Sequence, residues 1–117
     1  MDKLKELHRQ KRMLFPEMRR LQIKASQNLL DSDSKAKLDR IEALYDQNFN
    51  EIIQQEQKVI EERFGSEVLN EWNEFKIIEG SSFTNSSEVG KRYNILKEKL
   101  KEICILLEKV NEIEYPK

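Results

Sequence analysis

Residues 88–115, with the sequence EVGKRYNILKEKLKEICILLEKVNEIEY, decide the fold class. Their apolar residues recur at alternating spacings of four and three, which is a heptad pattern. A helix with this pattern presents its apolar side chains on one face, and other helices or another chain must cover that face. The stretch therefore predicts one unbroken helix that packs against others. Its stripe consists of Val89, Tyr93, Leu96, Leu100, Ile103, Leu107 and Val110.

The composition of the whole chain favours the same fold class. The 117 residues are 38% hydrophobic and 37% charged, with only three glycines and two prolines. Few turn-forming residues and many charges are typical of long helices with solvated outer faces. We therefore predict an all-α fold for a single domain covering residues 1–117. The expected architecture is an antiparallel helical bundle of three long helices and one short helix, with coiled-coil-like packing.

The first predicted helix covers residues 2–30 and contains a proline. Pro16 removes a backbone hydrogen bond, yet it falls opposite the apolar side of the helix, so we expect one kinked helix rather than two separate ones. Lys11 occupies one slot of the heptad pattern that should be apolar. The apolar positions of this helix are Leu4, Leu7, Leu14, Met18, Leu21 and Ala25.

The second predicted helix begins near Ser34, after helix-capping residues, and continues to Phe64. About thirty residues would span roughly 45 Å at 1.5 Å per residue, so part of this helix should project or be shared with another chain. Asn48 and Gln55 fall on core positions of its apolar seam. They are either buried and hydrogen-bonded, which would fix register, or at the edge of the seam in water, which we favour. The seam is defined by Leu38, Ile41, Tyr45, Ile52 and Val59.

Glycine and serine positions divide the second half of the chain. Gly65 should end the second helix, and Ser66 should cap a short third helix over residues 67–77. The loop at residues 79–87 carries Phe83, which is either packed back onto the bundle, as we favour, or displayed to a partner. Ser86 or Ser87 should cap the last helix, which Pro116 should end.

The chain lacks the residue clusters that most enzymes require. It has one histidine and one cysteine, and its glycines are isolated, so we predict no catalytic site, no metal site and no cofactor. Cys104 lies in an apolar run, which suppresses thiol reactivity and favours a reducing compartment. With no secretory signal and no membrane span in the sequence, we predict a cytoplasmic protein. Frequent Lys, Glu, Asn and Ile and scarce Ala are compatible with a bacterial or phage origin.

These features predict a non-enzymatic protein-interaction module, such as a small adaptor, inhibitor or chaperone-like helical bundle. It would bind another protein through an apolar helix face that the monomer leaves uncovered, and it would self-associate as a homodimer. Trp72 is either a core anchor, which we favour, or an exposed hot spot of that surface. The predicted partner-binding residues are Tyr45, Phe49, Ile52, Trp72 and Phe83.

The charge distribution supports an alternative function. The chain has 21 basic and 22 acidic residues, but residues 1–40 carry eleven basic and six acidic side chains, for a net charge of +5, against −6 for the remainder. The basic first helix either pairs with acidic neighbours or contacts phosphates or an acidic partner, which would make the protein nucleic-acid-binding. The candidate contacts are Lys5, Arg9, Arg12, Arg19, Arg20 and Lys24.

A third function would be that of a small apolar-ligand sensor. It requires a cavity between helices, and Trp72 and Tyr93 are the predicted lining residues.

Overall fold

The computed structural model describes residues 2–84 and 86–113, with side chains described up to residue 110. Within these residues the protein contains five helices and no strand, which confirms the all-α fold class. The antiparallel arrangement of three long helices and one short helix stays a prediction. The helices are α1 (Asp2–Ser26), α2 (Ser32–Phe64), α3 (Ser66–Glu79), α4 (Glu88–Lys99) and α5 (Lys101–Ile113).

The helices are distributed over two compact units. The described part of unit 1 is residues 2–55, and unit 2 is residues 56–113. Unit 1 contains α1 and nearly three quarters of α2, while unit 2 contains the end of α2 with α3, α4 and α5.

Helix α1 is continuous through its proline. Pro16 lies inside the helix and is exposed, as its position opposite the apolar stripe predicts. The helix ends at Ser26, four residues before the predicted end, because Asn28 adopts a positive φ of 57°. The backbone N–H of Leu29 then donates to the carbonyl of Lys24 at 2.9 Å, which satisfies a carbonyl of the last helical turn.

Unit 1 has a small apolar core between α1 and α2. Met18 and Leu21 of α1 are buried against Leu38 of α2. Helix α2 begins at Ser32, and Asp31 caps it, since its Oδ1 accepts from the backbone N–H of Ser34 at 2.7 Å. That backbone hydrogen bond is the main cause that lowers the pKa of Asp31. Ala25, Leu30, Ile41 and Tyr45 pack around this core and are half-buried.

The amides of α2 differ from each other in burial. Asn48 is only 4% exposed, so our expectation that it meets water at the edge of the seam is wrong. Gln55 is half-buried, which fits the edge position. Several apolar residues of the same helix are exposed instead, namely Leu44, Phe49, Ile53 and Phe64.

In unit 2, Gly65 separates α2 from α3 and has a positive φ of 95°, as the sequence predicts for a glycine that stops a helix. The prediction that Ser66 caps α3 is wrong, because Ser66 is the first residue of the helix and no side chain caps its N-terminus. Ser87 does cap α4, since its Oγ accepts from the backbone N–H of Gly90 at 3.0 Å.

The heptad stripe of residues 89–110 spans two helices rather than one. The helix is interrupted at Leu100, which is a turn residue between α4 and α5, so the prediction of an unbroken helix is wrong. The interruption is local, because the backbone N–H of Cys104 still donates to the carbonyl of Leu100 at 3.1 Å. Val89 is exposed and Tyr93 is half-buried, whereas the other members of the stripe are buried. Pro116 and Tyr115 lie outside the described residues.

Candidate functional site

A groove of about 320 Å³ lies between α1 and α2 in unit 1. Its volume is at the lower end of the range for sites that bind small molecules or single side chains of a partner. Both helices contribute apolar and amide side chains to this groove. The lining residues are Gln10, Met13, Leu14, Leu44, Gln47, Asn48 and Glu51.

Two large apolar side chains of this groove face solvent. Met13 of α1 is 67% exposed and Leu44 of α2 is 52% exposed, while Leu14, which also lines the groove, is half-buried. A single exposed apolar residue is ordinary, but exposed apolar residues from two helices around one groove form a patch that a partner could cover.

Asn48 joins the two helices beside this patch. Its Nδ2 donates to the backbone carbonyl of Leu7 at 3.0 Å and, more weakly, to Oε1 of Gln10 at 3.4 Å. Its Oδ1 is buried and has no hydrogen-bond partner among the described residues. A buried amide that binds one backbone carbonyl of the facing helix favours a single register, because sliding α1 along α2 would break that bond.

Aromatic residues make a second set of contacts between α1 and α2. The ammonium group of Lys11 lies 5.4 Å from the ring centroid of Phe49, and the rings of Phe15 and Tyr45 lie 6.1 Å apart. Lys11 occupies an apolar slot in the heptad pattern of α1, and its contact with an aromatic face explains how a charged residue is accommodated there. Phe15 and Phe49 nevertheless remain exposed over nearly half of their surface.

Charged residues lie close to one end of the groove. The Glu17 carboxylate of α1 is shared by Arg20 of the same helix, at 2.6 Å, and by Lys37 of α2, at 3.1 Å. The hydrogen bonds from Arg20 and Lys37 lower the pKa of Glu17 from 4.5 to about 2. Towards the other end, Gln47 donates to Glu51 at 3.2 Å.

Unit 2 contains a cluster of aromatic side chains. The ring of Phe75 lies 5.8 Å from Trp72 and 5.1 Å from Tyr93, on which it stacks. The ring of Phe83 lies 4.9 Å from Tyr93, so Phe83 packs back onto a helix, as we favoured from the sequence. The cluster therefore links α3, α4 and the loop between them.

Two ion pairs join α3 to α4 next to this cluster. Arg92 binds Glu74 through two hydrogen bonds of 2.7 and 3.1 Å, and Lys99 lies 2.6 Å from Glu71. The hydrogen bond from Arg92 is the main cause that lowers the pKa of Glu74.

The five predicted partner-binding residues do not form one exposed surface. Ile52 and Trp72 are buried, so neither can be part of an exposed apolar face, and the core position favoured for Trp72 is confirmed. Tyr45 and Phe83 are half-buried through the contacts described above, and Phe49 alone is exposed. Tyr45, Phe49 and Ile52 belong to unit 1, whereas Trp72 and Phe83 belong to unit 2.

The basic residues of α1 are engaged to different extents. Nε of Arg9 donates to Oε2 of Glu6 at 2.9 Å, and Nε of Arg20 donates to Oε2 of Glu17 at 3.1 Å. Both acids lie on α1 itself, so part of the basic charge is compensated locally. Arg19 and Lys24 are exposed, and Lys5 and Arg12 are half-buried.

The sequence reasoning missed Met13 and the exposure of Leu44. Leu44 lies next to Tyr45, one position outside the heptad seam, and that offset is a signal that it belongs at the edge of the helix interface. Asn48, which the sequence places on a core position of α2, lines the groove together with Gln47.

No group of His, Cys, Asp and Glu side chains within the described part of the chain is arranged to hold a metal ion. Cys104 of α5 is half-buried, and burial raises the pKa of its thiol, which disfavours the nucleophilic thiolate.

Among the described residues, no helix combines the length and apolarity needed to cross a membrane. The groove that the structure provides is not lined by Trp72 or Tyr93, the residues predicted for an apolar-ligand cavity. The chain matches no protein-family model, no curated protein and no solved structure.

Proposed function

We propose that this protein is a non-enzymatic protein-interaction module, of the adaptor, inhibitor or chaperone-like kind, that docks a protein partner on the groove between α1 and α2. The observation that carries the proposal is the exposure of Met13 and Leu44, at 67% and 52%, on facing helices of one groove. Covering the surface that these two side chains still expose would contribute about 1–2 kcal/mol each to binding, before the cost of association.

The polar groups around the groove suit a protein partner better than a small apolar ligand. Gln10 and Gln47 are exposed at its sides, and Glu51 is half-buried. An apolar centre with a polar rim is the usual anatomy of protein interfaces. An apolar ligand of the size of the groove would leave these amides without new partners.

The nucleic-acid alternative has weaker support. Arg9 and Arg20 already bind Glu6 and Glu17, which reduces the positive charge available to phosphates. A retarded band with DNA or RNA at low salt, lost steeply as salt rises, would favour this alternative.

The proposal is tested by capture from the native host with three forms of the tagged protein as bait. Wild-type protein is compared with Leu44→Glu, which places a charge in the groove, and with Ile77→Glu, which makes the same change at a 74% exposed position of α3. We expect wild type and Ile77→Glu to retain one stoichiometric protein that Leu44→Glu loses. A partner retained by all three baits, or no partner with any, contradicts the proposal.

A further inference from the structure

One side of the α1–α2 pair has a charge pattern that reverses about its apolar centre. We name it the Leu44 flank, and it comprises the groove residues Gln10 and Met13 of α1 with a row of α2 residues spaced like a heptad. The row consists of Lys37, Arg40, Leu44, Gln47 and Glu51. Residues three, four and seven apart lie on one side of a helix, so this row is continuous.

Leu44 is at the midpoint of the row. Lys37 precedes it by seven residues and Glu51 follows it by seven, so each lies about 10 Å from Leu44 along the helix. Arg40 adds a second positive charge on the Lys37 side, while Gln47 on the Glu51 side is neutral.

The α2 row has charged residues of opposite sign at its two ends. At one end are Arg40 and Lys37, and Lys37 is also bound to Glu17 of α1. At the other end the carboxylate of Glu51 accepts a hydrogen bond from the neutral Gln47. The row therefore has a basic end, an apolar centre and an acidic end.

We propose that the Leu44 flank is the docking surface for a second copy of this chain, which packs against it antiparallel about a twofold axis at Leu44. In that arrangement Leu44 and Met13 of both copies form the centre of the interface. Lys37 and Arg40 of each copy face Glu51 of the other. The inference rests on the proposed function, and it specifies the partner of the same groove.

The charge pattern favours a twofold axis perpendicular to α2. A closed dimer uses the same surface on both copies, and with the axis in that direction a residue at one end of the flank meets the opposite end of its partner. Parallel packing would place Lys37 against Lys37 and Glu51 against Glu51, and such like-charge contacts disfavour association.

The size of the surface suits a weak, reversible dimer. From Lys37 to Glu51 the flank extends about 21 Å, and two packed helices are about 20 Å wide, which gives a face of about 400 Å². Typical specific interfaces bury about 800 Å² on each partner, so we expect association in the micromolar range or weaker.

The first experiment measures the mass of the protein by light scattering across micromolar concentrations. We expect wild type and Ile77→Glu to associate reversibly as dimers, and Leu44→Glu to remain monomeric, with a dissociation constant raised about a hundredfold or more because two carboxylates would meet at the apolar centre. Far-UV circular dichroism checks that the variant keeps its helices. A monomeric wild type, or a Leu44→Glu variant that dimerises normally, overturns the inference.

The second experiment tests the orientation with two charge reversals. Lys37→Glu alone and Glu51→Lys alone each convert two attractive contacts of the dimer into two repulsive ones, so each should weaken self-association by about tenfold. A mixture of the two variant chains restores both attractive contacts, and we expect it to form a heterodimer. If the two variants fail to pair, the antiparallel arrangement is wrong.

These outcomes separate the inference from the proposed function. If the wild type is monomeric but captures a different protein that Leu44→Glu does not capture, only the second-copy inference is overturned. If the wild type is monomeric and captures no protein that Leu44→Glu loses, the inference and the proposed function are both contradicted.

Discussion

Unit 1 and unit 2 join their helices with different side chains. In unit 1, Asn48 ties α2 to the backbone of α1 at Leu7, and Met13 and Leu44 remain exposed. In unit 2, stacked aromatic rings and ion pairs join α3 to α4. An amide contributes direction and register but covers little apolar area, whereas each large ring covers much. The difference teaches that a buried hydrogen bond can fix the register of two helices while large apolar side chains beside it stay exposed.

The largest effect should come from the aromatic cluster of unit 2. Trp72→Ala removes a buried ring that contacts Phe75, and we expect the free energy of unfolding to fall by about 3–5 kcal/mol. Phe49→Ala, at an exposed ring of unit 1, should cost about 1 kcal/mol or less, mostly through its contact with Lys11. Urea unfolding followed by far-UV circular dichroism measures both. Equal losses would show that the two units are not stabilised differently.

A second prediction concerns the buried amide of unit 1. Asn48→Asp places a carboxylate in a site that is 4% exposed and next to the Leu7 carbonyl, so we expect a loss of about 3 kcal/mol at neutral pH. Burial would raise the pKa of the new carboxyl in the folded state above its unfolded value of about 3.9. The loss should therefore be small below about pH 4 and increase as the pH rises towards the folded pKa.

Asn50→Asp is the matched control, because it makes the same change at an exposed position two residues away. Its free energy of unfolding should change by about 0.5 kcal/mol or less and show little of this pH dependence. Urea unfolding at several pH values measures both variants. If the two variants respond alike to pH, Asn48 is not buried as described.

A third prediction concerns the glycine that separates α2 from α3. Gly65 has a φ of 95°, and a Cβ there would have no atom within 4 Å, so Gly65→Ala should cost about 1 kcal/mol through backbone strain alone. Gly80 has a φ of −80°, and a Cβ there would meet backbone oxygens at ordinary distances of 3.6 and 3.8 Å. Gly80→Ala should therefore be neutral or slightly stabilising. Thermal unfolding compares the two, and a larger loss for Gly80→Ala would contradict the assignment.

The smallest expected effect is the pH dependence contributed by Glu17. Its folded-state pKa of about 2 lies below the ordinary value of 4.5, so its contribution to stability is present above pH 4.5 and is lost as the pH falls towards 2. Glu17→Gln removes this contribution, and the variant should lose less stability than wild type between these pH values. Chemical unfolding at pH values across this window measures the difference. A wild type and variant with parallel pH profiles would mean that Arg20 and Lys37 do not stabilise the ionised form.

The sequence was informative about individual elements to different degrees. Helical periodicity located α1, α2 and α3 within a few residues, because an amphipathic pattern depends on local spacing. It did not reveal the interruption at Leu100, since the heptad pattern continues across it and one residue of turn leaves the spacing unchanged. The cap by Ser87 was predictable, whereas Ser66 showed that a capping residue next to glycine does not always cap.

The candidate site was only partly predictable. Tyr45, Phe49 and Ile52 pointed to the middle of α2, which does line the groove region, but their exposure depends on which residues of α1 face them. Met13 gave no signal of its own, because one methionine beside Leu14 in an amphipathic helix is equally compatible with the core. The homodimer, the choice of protein partner and the absence of enzymatic activity stay predictions.

By itself, the sequence determined that this chain is helical, where most helices begin and end, and which positions are apolar. These properties follow from backbone propensity, capping and local periodicity, which act over a few residues. Tertiary structure decided that Asn48 is buried while Leu44 is exposed, and that Phe83 packs on Tyr93. Burial depends on the side chains that another helix brings to the same place, and no local spacing contains that information.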